Sequence, residues 1–135
     1  MNFKNGKEPL ELCEKENCAI SDIMILREAT GTDRPKDEIL RRMRRTWDIM
    51  KDSAVSPIHS PKRSIGGLIG GEARLLFEHQ ASGKSLCGST LSRAITYAMA
   101  VIENSSSMGF IAAEPTAGSF GIVPGVMLAL QKTQD

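Results

Sequence analysis

Glycine is distributed unevenly along this 135-residue chain, and that distribution limits what the chain can fold into. Ten of the twelve glycines lie at or after Gly66. Nine of these ten cluster in three segments, which read SIGGLIGGEA (64–73), GKSLCGSTL (83–91) and EPTAGSFGIVPG (114–125). Glycine tolerates positive φ and close backbone approach, but it costs conformational entropy inside regular elements. The three segments therefore predict loops between helices, and such loops can build a binding site from backbone groups.

The charge pattern divides the chain in two and excludes several classes of partner. Residues 1–63 carry 24 of the 33 charged side chains, while the net charge is only +1. That balance gives no general attraction to nucleic acid or to an anionic membrane. No apolar run approaches the roughly 18 residues of a membrane-spanning helix, and the first residues lack the apolar region of a secretory signal. With three cysteines, we expect a cytoplasmic protein with reduced thiols.

Apolar residues recur with helical spacing in five stretches. The first follows a cap at Ser21, the second runs from 33–35 to Met50, and the fourth is capped by Ser89. The third covers 72–81 and ends at a glycine, and the fifth begins near Pro124. Residues 53–64 contain two prolines and several serines and predict a loop. We therefore predict an all-α fold, a compact helical domain with glycine-rich loops between its helices, comprising residues 20–135 after a tail at 1–19.

Two of the glycine segments have alternative interpretations from the residues alone. The SIGGLIGG loop presents several N–H groups just before a helix, which suits an anion such as a carboxylate or phosphate. A tight turn leading into a helix explains the same residues. In the third segment, Thr116 and Ser119 either hold a polar ligand or cap the following helix.

The cysteines do not form a recognisable metal-binding pattern. Cys13 and Cys18 are separated by four residues, and no second pair of ligands follows at the spacing of a structural zinc site. Cys87 precedes a helix, where its thiol is either activated by the helix N-terminus or buried and inert.

The three glycine segments, in this order, resemble the α chain of iron–sulfur-dependent L-serine dehydratase. The similar blocks are SxxGLxGGxA at 64–73, GKSLxG at 83–88, and MG followed by PTAGSxGxVPG at 108–125; ISDIMI at 20–25 resembles the opening helix of the family. The resemblance implies a lyase that converts L-serine to pyruvate and ammonia with a 4Fe–4S cluster. It implies a substrate-binding role for two loops, in which the residues are Ser64, Gly66, Gly67, Gly70, Gly71, Thr116, Gly118 and Ser119. The last three would also lie beside the cluster, and the catalytic base stays unassigned.

Three departures from the family pattern argue against activity of this chain alone. Many members carry a cluster-ligating cysteine where this chain has Phe120, which cannot bind iron. The other cluster cysteines of the family lie beyond the point at which this sequence ends, so we expect an incomplete domain. Ser105 stands where the family has an asparagine before the MG pair.

The resemblance therefore predicts a serine dehydratase α-like domain that binds L-serine or a similar small amino acid and does not hold the 4Fe–4S cluster by itself. Its expected partner is a β chain or a missing C-terminal part, with no role for nucleic acid or membrane. A non-catalytic serine-binding or regulatory module and a non-functional gene fragment are the alternatives.

Overall fold

The computed structural model describes residues 3–116 and 118–134. These residues form six α-helices and no β-strand, which confirms the predicted all-α class. No helix in these ranges is long and apolar enough to cross a membrane. The helices are α1 (Lys7–Glu16), α2 (Ile20–Thr32), α3 (Lys36–His59), α4 (Glu72–Ala81), α5 (Gly88–Ser106) and α6 (Ser119–Gln134).

The chain divides into two compact units, residues 1–45 and 46–135, with the boundary inside α3. The first unit contains α1, α2 and the beginning of α3, and its buried apolar side chain is Ile23. Lys36 pairs with Asp22 at 3.9 Å in this unit. The second unit contains the rest of α3 together with α4, α5 and α6, and all three glycine segments belong to it.

Helix α1 lies in the segment that the sequence analysis treats as a tail. The Asn5 side-chain oxygen accepts hydrogen bonds from the N–H groups of Lys7 and Glu8, at 3.0 and 3.2 Å, and so satisfies donors at the start of the helix. No residue of α1 is buried.

The predicted loop at 53–64 is wrong in its first half, because α3 continues to His59. Ser53, Ala54, Pro57 and Ile58 are buried, and they recur at the spacing of one helix face. Proline disfavours a helix interior because it lacks an N–H group and its ring crowds the preceding turn, yet Pro57 lies inside α3. Packing of this face therefore outweighs the proline and serine content of the segment.

Helix α6 begins at Ser119, five residues before the predicted start at Pro124. Gly121 therefore lies inside a helix, not in a loop. A Cβ atom on it would lie 3.1 Å from the backbone oxygen of Ala98 in α5. Glycine at this position therefore allows close packing of α6 against α5 and does not form a turn.

Helices α4 and α5 run in opposite directions. The Gln80 side chain, in the last turn of α4, donates to the Ser89 carbonyl at the start of α5 (3.1 Å). At the other end, the Ala73 N–H at the start of α4 donates to Glu103 near the end of α5 (2.6 Å). Ser89 therefore lies in the first turn of α5, and the cap position predicted for it is occupied by Cys87.

Helix α6 is also antiparallel to α5 and packs closely against it. A Cβ atom on Gly125 would lie 2.8 Å from the Ala94 oxygen and 3.0 Å from the Ala98 nitrogen. Further along, the Arg93 guanidinium donates to the Lys132 carbonyl at 3.3 Å. Helix α5 thus lies between α4 and α6, and its C-terminal end is close to the N-terminal ends of both.

Two small apolar clusters hold the second unit together. In one, Ala54, Val101 and Leu128 join α3, α5 and α6, and Trp47, Tyr97, Ile111 and Phe120 pack around them. In the other, Ile58, Ala73 and Ala100 join α3, α4 and α5. Because alanine supplies half of the buried side chains in these two clusters, an added carbon at their contacts would overpack them at a cost in stability.

We predict that Gly125→Ala destabilises the chain by roughly 1–3 kcal/mol, the usual cost of forcing an extra carbon into a packed interface. The atoms that a new Cβ would meet belong to the α5 backbone, so they cannot rotate away. Urea denaturation followed by circular dichroism measures the change.

The matched control is Gly31→Ala in α2, where an added Cβ meets nothing within 4 Å. Alanine is the better helix former, so this variant is expected to be neutral or slightly more stable. Equal denaturation midpoints for the two variants would contradict the close α5–α6 contact.

Candidate functional site

The first and third glycine segments lie at the same end of the second unit. At this end, hereafter the loop end, α4 and α6 begin and α5 finishes. All eight residues that the resemblance assigns to substrate binding belong to these two segments. The second glycine segment lies at the opposite end, separated by the 19 residues of α5, about 28 Å at 1.5 Å per residue. The glycine segments suggested a site built from backbone groups, but only the first and third come together, and the second does not converge with them.

A buried carboxylate anchors the loop end. Glu103 is 1% exposed, and its two oxygens accept hydrogen bonds from the N–H groups of Gly71 (3.0 Å) and Ala73 (2.6 Å). These donors belong to the N-terminal turn of α4, where the helix dipole also favours negative charge. The helix start, one of whose two interpretations was an anion site, therefore binds a carboxyl group of the chain itself.

Sequence reasoning missed Glu103, although a signal was present. Thr96, Ala100 and Glu103 recur on one face of α5, and all three are buried. An acidic residue on a buried helix face needs hydrogen-bond donors from another segment, because an unpaired buried charge is strongly unfavourable.

A second carboxylate binds the neighbouring N–H group. Gly70 donates to the Glu72 side chain at 2.7 Å. Hydrogen bonds from the Glu72 N–H itself and from Gly70 hold the pKa of this carboxyl below its ordinary value of 4.5. Gly70 also needs to be glycine, since a Cβ atom would lie 2.7 Å from the Lys62 carbonyl oxygen.

The remainder of the first segment is a turn closed by Ser64. The Ser64 N–H donates to the Ile69 carbonyl (2.8 Å), and the Ile69 N–H donates to the Ser64 hydroxyl (3.2 Å). The Gly67 N–H donates back to the Ser64 carbonyl at 2.9 Å. In the described part of the chain, the N–H groups of Ile65, Gly66 and Leu68 make no hydrogen bond. They are the donors of this loop that remain available to a ligand.

The third segment is a turn held by the Ser119 hydroxyl, which donates to the Thr116 carbonyl (2.6 Å) and lies 3.3 Å from the Thr116 nitrogen. Ser119, the first residue of α6, therefore closes the turn that precedes the helix by bonding back to Thr116. The hydroxyl of Thr116 makes no hydrogen bond with the described residues. Gly118 has φ +94°, so it supplies a conformation that other residues adopt with strain.

Asn104 organises the chain directly after α5. Its side-chain amide donates to the Phe110 carbonyl at 2.7 Å, and its backbone carbonyl accepts from the Gly109 N–H at 2.8 Å. Ser105 occupies the position matched to the family asparagine. The residue immediately before it thus provides an asparagine side chain at the loop end.

The second segment borders a different cavity. A cleft of about 560 Å³ is lined by the end of α4, by this loop and by the start of α5. Arg93 is the charged side chain in its lining, and Ser85, Ser89 and Tyr97 contribute hydroxyl groups. None of the eight residues assigned to substrate by the resemblance borders this cleft.

Comparisons with known sequences identify the family. The sequence model described as "Serine dehydratase alpha chain" matches residues 15–135. The chain belongs to the serine dehydratase α-chain family. It is 38% identical over 130 residues to the "Probable L-serine dehydratase, alpha chain" of Bacillus subtilis (strain 168), covering 96% of this chain and 43% of that relative.

Two further relatives extend the comparison. The "L-serine dehydratase, alpha chain" of Peptoniphilus asaccharolyticus is 31% identical over 127 residues, covering 94% of this chain and 44% of the relative. The "L-serine dehydratase" of Helicobacter pylori (strain ATCC 700392 / 26695) is 29% identical over 133 residues, covering 94% and 28%. No solved structure matches the chain. The chain thus spans less than half the length of these relatives.

The residues of this chain do not fit a cluster site at the position that the resemblance indicates. The Phe120 ring packs against the cluster of Ala54, Val101 and Leu128. Cys87 lies at the opposite end of α5, and Cys13 and Cys18 belong to the other unit. Across residues 3–116 and 118–134, no group of three or more His, Cys, Asp or Glu side chains is placed to hold a metal ion.

We predict that Glu72 makes the stability of the chain depend on acid pH. A carboxyl group whose pKa is lowered by folding stabilises the native state at pH values above its ordinary pKa of 4.5. That contribution is lost as the pH falls through the lower folded value. The difference in unfolding free energy between wild type and Glu72→Gln should therefore be constant above pH 4.5. Below that pH the wild type should lose stability relative to Glu72→Gln.

Urea denaturation of both proteins at a series of pH values measures this difference. Glu78→Gln is the matched control, because Glu78 is exposed and its pair with Arg74 lies on the α4 surface. A wild-type advantage over Glu72→Gln that does not change with pH would refute the hydrogen-bonded carboxylate.

Proposed function

We propose that this chain is the substrate-binding part of an L-serine ammonia-lyase and that it binds L-serine, or a closely similar amino acid, at the loop end. The observation that carries the proposal is the division of donors within one loop. The N–H groups of Gly71 and Ala73 are held by Glu103, and that of Gly70 by Glu72. Those of Gly66 and Leu68, in the same loop, are free.

The free N–H groups would bind the carboxylate of the amino acid. Neighbouring backbone donors in a glycine-rich turn form a concave site for an anion without a cationic side chain. Gly66 and Gly67 leave this turn open, since an added Cβ at either would meet nothing within 4 Å. Gly70, Gly71 and Ser64 support the site by holding the turn against α4.

The negative charge of Glu72 would make the site prefer an amino acid to a simple carboxylic acid. Its carboxylate lies next to the turn and, with its lowered pKa, is ionised at neutral pH. It therefore offers a negative charge to the ammonium group of a zwitterion, while the turn binds the carboxylate. The free Thr116 hydroxyl, with Gly118 and Ser119 shaping the turn around it, is proposed to contact the substrate from the third segment.

The partner of this chain is proposed to be the remainder of a serine dehydratase, namely a β chain and the sequence that the relatives carry beyond the matched region. Four large apolar side chains at the loop end are exposed: Ile65, Leu68, Met108 and Phe110. Apolar surface of this kind marks an interface. The 4Fe–4S cluster of the family supplies Lewis-acid chemistry at a substrate hydroxyl, and its ligands would come from that remainder.

Titration of the ¹⁵N-labelled chain with L-serine tests the proposal. We expect the amide signals of Gly66 and Leu68 to shift, with weaker effects from L-lactate, which lacks the ammonium group. Glu72→Gln should weaken L-serine binding several-fold, because it removes the charge opposite the ammonium, whereas Glu78→Gln should leave the affinity unchanged. Formation of pyruvate should require addition of the partner sequences.

Binding of L-serine that stays unproductive when the partner sequences are added would favour a non-catalytic serine-binding module. L-serine shifts that avoid Gly66 and Leu68, or an equal response to L-lactate, would contradict the proposed site.

A further inference from the structure

Cys13 and Cys18 form a close pair that the serine dehydratase assignment leaves unexplained. Their side chains are close enough for Cys13 to raise the pKa of the Cys18 thiol, and both are partly exposed. The family match begins at residue 15, so Cys13 lies outside it. Both residues belong to the first unit, apart from the loop end.

The backbone conformation at the end of α1 brings these two residues close together. Asn17 ends α1 in the left-handed conformation, with φ 48° and ψ 51°, and the Cys18 N–H donates to the Cys13 carbonyl at 3.1 Å. A bond spanning five residues over a left-handed residue is the Schellman arrangement, in which the side chains at its two ends meet. Here both of those side chains carry thiols.

We propose that Cys13 and Cys18 are a thiol-oxidation site at which a low-molecular-weight disulfide, such as glutathione disulfide, closes an intramolecular disulfide across the end of α1. One thiolate attacks the glutathione disulfide, forms a mixed disulfide and releases one glutathione. The second thiolate attacks the protein sulfur of that mixed disulfide and releases the other glutathione. The Sγ–Sγ bond forms, the two thiols lose two electrons and two protons, and glutathione disulfide is reduced to two thiols.

The surroundings of the pair make the reaction dependent on pH. Burial raises the pKa of the Cys18 thiol above its ordinary value of 9.0, and Cys13, Asp22 and Glu16 add to the effect. Lys36 faces the same region through its pair with Asp22. Because the thiolate is the reactive form, closure should be slow at neutral pH and should accelerate as the pH rises beyond 9.

The test uses the full chain with its three cysteines, equilibrated in glutathione redox buffer, alkylated and digested with trypsin. Lys15 lies between the two cysteines, so cleavage there separates peptide 8–15 from peptide 16–27. A covalent link between these peptides in a monomeric chain identifies the disulfide. Cys87→Ser should keep the link, and Cys18→Ser should lose it.

The contribution of the fold is measured by repeating the equilibration in denaturant. We expect the ratio of internal disulfide to glutathione adducts at Cys13 and Cys18 to fall roughly tenfold or more, because positioning raises the effective concentration of one thiol at the other. Stable glutathione adducts at both residues of the folded chain would overturn the proposal. Links between chains, or an unchanged ratio in denaturant, would do so as well.

Discussion

The structure of the loop end depends on one interaction, the binding of the buried Glu103 carboxylate to the start of α4. The two hydrogen bonds join segments that lie 30 and 32 residues apart. They satisfy donors of a helix N-terminus and give a buried carboxyl group the hydrogen-bond partners it requires. Without them the first glycine segment would have no fixed position relative to α5, and the donors of its turn would not be presented together.

This interaction changes the role of the glycine motif. Before a helix, a glycine-rich loop suggests an anion site at the helix N-terminus. Here that terminus is occupied by Glu103 and Glu72, so the proposed ligand donors lie earlier in the segment, at Gly66 and Leu68. The later glycines, Gly70 and Gly71, shape the backbone so that the two carboxylates can be reached.

The sequence predicted the helical class and most of the helix positions because helical periodicity and glycine boundaries are local signals. It failed where a distant contact decides the outcome. Pro57 stays in α3 because its helix face is buried. Gly121 lies inside α6, where the absence of a side chain leaves room for the backbone of Ala98. Glu103 escaped notice because its partners lie at the start of another helix. Phe120 is a similar case. The sequence shows that it cannot bind iron, but its role in packing against the apolar cluster is visible only in the structure.

Amide hydrogen exchange provides the most direct test of the central claim, that the chain's own carboxylate occupies the start of α4 and leaves the preceding turn free. The Gly71 and Ala73 amides should be protected like the core of α5, while Gly66 and Leu68 exchange almost as fast as an unfolded chain. In Glu103→Gln the side chain retains one accepting oxygen, so protection of Gly71 or Ala73 should fall by roughly tenfold or more, the effect of losing a hydrogen bond to a charged acceptor. Rapid exchange of Gly71 and Ala73 in the wild type, or unchanged protection in Glu103→Gln, would contradict the account.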